Sequence, residues 1–179
     1  MDFDKIWEAS KKPIKIILAF NILFFVIAIL SIVLLGSIDI NITNETGFMI
    51  PLILVFGYLI MYLGNAALYL YSGYNAVRKH SLKVLDSGVV AVISYVVALT
   101  ILTFLSAIVS AVSNTLTYGS FGEEMGGLML LAGGISFLTA LLMYMLSLAI
   151  GVPINFVLGL VGGFIAQETK PKKIRKKKK

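Results

Sequence analysis

The chain of 179 residues has no cysteine, one histidine, one tryptophan and four prolines. Without cysteine there are no disulfides and no thiolate metal sites, and the redox compartment leaves no mark. Charge is scarce too, at 13% of residues, with nine acidic against fifteen basic side chains. His-Glu-x-x-His, Gly-x-Ser-x-Gly and Gly-x-x-x-x-Gly-Lys are all missing, which removes the commonest signatures of metallohydrolases, serine hydrolases and phosphate-binding loops. His80 lies in a basic segment, where a solvated or headgroup-contacting role is the simpler reading than general-base work. Glu123 and Glu124 read as solvated charge rather than a metal site. The sequence therefore points to no catalytic, cofactor-binding or metal-binding residue, and a non-enzymatic protein is expected.

What is abundant is apolar: 59% hydrophobic residues and a mean hydropathy of +0.96. That composition belongs to an integral membrane protein. Crossing about 30 Å of hydrocarbon takes roughly 20 apolar residues of helix, because lipid offers no partner to unpaired backbone groups. Four spans are expected, at about 14–35, 49–77, 88–112 and 135–166, and none alternates as barrel strands do. The fold class read from them is all-α, integral membrane. The first span reads as a retained signal anchor, since its core is long and no small-residue cleavage site follows. Residues 1–12, with Phe3, Ile6 and Trp7 at helical spacing among charges, suit an interfacial segment, and Pro13 suits the first turn of the span.

The bases fall in three clusters, Lys5–Lys15, Arg78–Lys83 and Lys170–Lys179, and the loops between alternate clusters hold only acids. An excess of Lys and Arg marks the cytoplasmic side, so both termini are assigned there, in a cell membrane. Asp86 is expected to pair with the second cluster. The stretch 128–166 spans 39 residues, about 58 Å of helix. Two crossings there would carry the basic tail outside, so one long helix is expected, tilted or kinked near Gly151 and Pro153, after an interfacial or re-entrant piece at 126–134.

Sliding the chain by 90 residues aligns Asn65, Leu68, Leu70, Gly73, Tyr74 and Ala76 with Asn155, Leu158, Leu160, Gly163, Phe164 and Ala166. The repeat raises two duplicated helical hairpins, related by an axis along the membrane normal. It would set Asn65 and Asn155 at matching depth, about 18 Å of helix from the inner end. Gly151, Asn155, Gly159 and Gly163 recur on one face of the last span, where another backbone can approach closely. Packing within the monomer and a homodimer seam are the two readings of that face. No acid or base lies in the interior of any span, which argues against proton relays, pumps and voltage sensors. Tyr58, Tyr62 and Tyr69 share a face, read as bundle packing, with a polar pathway beside Asn65 as the alternative.

Two sequons, at Asn41 and Asn44, lie in the loop expected to face outward. The polybasic tail 170–179 suits anionic lipid headgroups, at about 1 kcal/mol per base. Contact with nucleic acid through phosphate attraction is the smaller alternative. The segments Ser72-Gly-Tyr-Asn-Ala76 and Leu160-Val-Gly-Gly-Phe-Ile-Ala166 resemble small four-span membrane proteins of archaea, particularly methanogens, a resemblance that brings no activity, cofactor or functional residue. The expected role is a packing or assembly component, alone or with a membrane-protein partner. The alternative is a small-solute transporter or channel acting as an oligomer.

Overall fold

The computed structural model describes residues 2–37, 44–118 and 126–169. They form four α-helices: α1 (Phe3–Ser37), α2 (Asn44–His80), α3 (Val84–Tyr118) and α4 (Gly126–Glu168). Asn41, Glu123, Glu124 and the tail 170–179 lie outside the described residues, as does the side chain of Asn44. Three runs are long and apolar enough to cross a membrane: Val55–His80, Val84–Ala111 and Phe137–Glu168. The first expected span falls within α1, and several of its side chains, at 28, 29 and 31–35, are outside those described.

The helix ends follow local chemistry. Asp2 caps α1, its carboxylate accepting from the Lys5 backbone N–H at 3.3 Å and pairing with the Lys5 ammonium at 3.0 Å. Capped there, α1 begins at Phe3 and runs straight through Pro13, so that 3–12 are its opening turns rather than a separate segment. Ile6, Ala9 and Ser10 are fully buried. At the end of α2, Ser81 takes a left-handed conformation with φ 53°, and the Leu82 N–H returns to the Ala76 carbonyl at 3.2 Å. Leu82 is then buried with Ile6, Ala9, Ala76 and Val90. Asp86 stands in the first turn of α3, where the helix dipole favours an acid. It makes no ion pair among the described residues, because Arg78 instead donates to the Thr169 carbonyl at 2.9 Å, tying the end of α4 to α2. In α4, residues 126–134 are continuous with the rest, and Pro153 sits inside a single helix of 43 residues.

The central pair α2 and α3 touch each other and both outer helices, whereas α1 and α4 do not meet among the described residues. This arrangement departs from the symmetry of two parallel hairpins. Exchanging α1 with α3 and α2 with α4 would convert the α2–α3 contact into an α4–α1 contact, which is absent.

Among the described side chains, burial is gathered towards one end of the bundle. Among the described residues, every buried one lies at or before Ile17 on α1, at or after Tyr69 on α2, at or before Ala98 on α3, and at or after Asn155 on α4. That end also carries Lys5–Lys15, Arg78–Lys83 and the root of the tail. The helices therefore approach most closely near the basic end. Convergence is made by small residues. A Cβ on Gly73 would lie 2.0 Å from the Gly159 carbonyl oxygen, and one on Gly162 equally close to the Leu70 carbonyl oxygen. In lipid, van der Waals packing of this kind drives association, since acyl chains are as apolar as the side chains.

Candidate functional site

Where burial stops, a cleft of about 520 Å³ opens between the diverging helices, with lining residues from all four. Its walls are mostly apolar, including Met61, Ala66, Leu102 and Ile154, and its polar groups are Asn21, Asn65, Asn155, Tyr69, Tyr95, Tyr62 and Ser147. No Asp, Glu, His, Lys or Arg lines it. A charged guest would go uncompensated in a low-dielectric site, at a cost of several kcal/mol. The chemistry on offer is hydrogen bonding to a neutral group.

Two of the amides meet, but not the two that the repeat aligns. Asn21 Nδ2 donates to Asn65 Oδ1 at 2.9 Å, and Asn65 Nδ2 returns a bond to Asn21 Oδ1 at 3.2 Å. Each amide also reaches one turn back along its own helix, to the Ile17 and Met61 carbonyls. Asn155 instead donates to the Gly151 carbonyl at 2.8 Å. Its Oδ1 accepts no hydrogen bond among the described residues, although the side chain is only 5% exposed. Tyr69, 6% exposed and edge-on to Tyr95 at 5.8 Å, likewise has no partner for its hydroxyl. Tyr95 donates to the Ser147 carbonyl at 2.7 Å, and its hydroxyl lies where a Cβ on Gly151 would stand.

The residues singled out from the sequence divide into two groups. Asn65, Asn155 and Gly151 line the cleft. Gly73, Gly159 and Gly163 lie beneath it in the seam between α2, α3 and α4, where Gly159 faces Ser87, Gly88 and Ala91, and Gly163 faces Ser87 and Val77. The glycine face is thus occupied within the monomer. Ser87 donates to the Gly159 carbonyl at 2.9 Å, and Ser72 and Ser94 lie 3.4 Å apart, so the floor is closed by small polar contacts. The tyrosine stripe divides as well: Tyr69 is buried, whereas Tyr58 and Tyr62 are 60% and 68% exposed, because the helices have separated at their level.

Sequence reasoning passed over Tyr95, Ser147, Gly162 and the pairing role of Asn21. The signal for α3 was present in Ser87, Ala91, Ser94 and Ala98, small residues spaced by four, three and four along one face. Such a stripe marks close helix packing in membranes. No protein-family model, curated protein or solved structure matches the chain.

Proposed function

We propose that this is a four-span integral membrane protein with both ends on the cytoplasmic side of the cell membrane, acting without catalysis as an assembly component for another membrane protein. The observation that carries the reading is the asymmetry of the bundle. Close packing of glycines on backbone carbonyls is found at the basic end, and further along the bundle large apolar side chains such as Phe56, Phe104, Phe137 and Leu142 stand more than half exposed. The clusters Lys5–Lys15 and Arg78–Lys83 at the closed end support its placement against the cytoplasmic leaflet, with the tail held to anionic headgroups.

Purification from native membrane in mild detergent tests the role. A stoichiometric partner, lost when bulky polar residues replace Phe104 and Leu142, is the expected result; a chain that purifies alone under every mild condition overturns it. A reporter fused after Lys179 tests the topology, and activity of that reporter outside the cytoplasm would reverse it.

The cleft favours a second reading, a small-solute transporter or channel formed by an oligomer. The closed floor at Ser72–Ser94 and Gly73–Gly159 blocks a route through one copy in this conformation, so passage would run between copies. Flux into liposomes, compared between wild type and the Asn65→Leu, Asn155→Leu pair, separates the two.

A further inference from the structure

We infer that the cleft is a binding site for a neutral, long-chain amphiphile with a free hydroxyl, taken up sideways from the bilayer. This goes beyond the assembly role and does not depend on it.

The chemistry is set by what is left unsatisfied. Among the described residues, the Asn155 amide donates only to the Gly151 carbonyl and its Oδ1 has no donor, and the Tyr69 hydroxyl, which can both donate and accept, has no partner. Both belong to residues more than nine-tenths buried that line the same cleft. The fully enclosed unpaired atoms among the described residues are those of the Asn75 amide, so the Asn155 oxygen and the Tyr69 hydroxyl are open to the cleft that their residues line. A hydroxyl can donate to an amide oxygen or accept from a phenol, so it suits either group. A carboxylate or phosphate cannot donate to Asn155 Oδ1 and would find no cation among the lining residues, and an ammonium would find no anion.

The walls specify the rest. The cleft falls within the 300–1,000 Å³ typical of small-molecule sites, and its rim at Tyr62, Leu146, Ile150 and Ile154 is apolar and exposed. An alkyl chain can leave along that rim into lipid while the hydroxyl stays at the floor. The Asn21–Asn65 pair is already mutually satisfied and serves as wall.

The test uses the full chain in nanodiscs and a diazirine-bearing hexadecanol. Saturable labelling of peptides containing Tyr62 or Ile150, displaced by unlabelled hexadecanol, is expected. The methyl ether of hexadecanol and palmitate should compete about tenfold more weakly, as should hexadecanol itself against Tyr69→Phe or Asn155→Leu, the usual scale for one lost buried hydrogen bond. Ala66→Phe, which fills the cleft while keeping both polar groups, should abolish saturable labelling. Because Tyr69→Phe preserves shape and the ether comparison needs no variant, a misfolded Asn155→Leu leaves the inference testable. Non-saturating label over the whole lipid-facing surface, or equal competition by alcohol and ether, overturns it. So does an Ile150→Cys disulfide between two copies that excludes the probe, since a second chain would then fill the cleft.

Discussion

Gly73→Ala places one methyl group where α2 and α4 touch backbone to backbone. The added Cβ would stand 2.0 Å from the Gly159 carbonyl oxygen, 2.7 Å from its carbon and 2.8 Å from its Cα. Ordinary contact is near 3.5 Å or beyond, so the helices must separate by about 1.5 Å at that point. None of the three atoms is the end of a flexible side chain. Overpacking of this kind costs about 1–3 kcal/mol, while replacing glycine in a helix returns up to about 1 kcal/mol. A net loss of about 1–2 kcal/mol is expected, or roughly 2–8 °C in melting temperature for a chain of this size. Gly57→Ala is the internal control, because nothing lies within 4 Å of a Cβ there and only the propensity gain remains. Thermal unfolding in detergent, followed by circular dichroism, compares the two. Equal melting temperatures for Gly73→Ala and Gly57→Ala would refute the close seam, whatever their shift from wild type.

Asn21→Leu and Asn65→Leu, taken through a double-mutant cycle, should show a coupling of about 0.6 kcal/mol and no more than about 2; additive effects would break the amide pair. Ser81→Gly should raise stability by about 1 kcal/mol, since the left-handed conformation at that turn costs a residue with a Cβ about that much, and a loss in chemical denaturation would count against the φ of 53°. Asn75 is buried with neither amide atom hydrogen-bonded among the described residues; Asn75→Leu should stabilise by about 1 kcal/mol, and destabilisation would show that the amide has a partner. The Asp2 carboxyl, held below the usual range first by the Lys5 ammonium and then by the Lys5 backbone N–H, contributes stability present above the ordinary aspartate pKa and lost as pH falls through its lowered value. Lys5→Ala should move that titration upward, as read by carboxyl NMR.

The four helices and the placing of Lys5–Lys15 and Arg78–Lys83 at one end were legible, because hydropathy and charge act locally. Gly73 and Gly159 were legible as packing residues, since their small size has no other use in an apolar helix. Their pairing with each other was not. The 90-residue repeat aligns Gly73 with Gly163, yet Gly73 meets Gly159, one turn away. Register depends on how two surfaces interlock, a property of both helices at once. The same limit separated Asn65 from Asn155: similarity of sequence placed them at equivalent positions, but α1 packs on α2 and makes Asn21 the partner of Asn65.

Side-chain volume along the bundle explains why the cleft and the charges are linked. Near the basic end, α3 and α4 present Ser87, Gly88, Ala91, Gly159, Gly162 and Gly163, and the backbones close on one another. Beyond Ala98 and before Asn155 the cleft is lined by the bulkier Leu102, Leu146 and Ile150, the last two more than half exposed. Taper of volume produces taper of the bundle, so the opening must face away from the lysines. Orientation and binding are nonetheless separable. A chain inserted the opposite way would keep the same unpaired Tyr69 hydroxyl and Asn155 oxygen, and would draw its ligand from the other leaflet. Labelling by the hexadecanol probe delivered to one leaflet at a time therefore reads the topology independently of any fusion, and uptake from the leaflet on the basic side would contradict the geometry of the cleft itself.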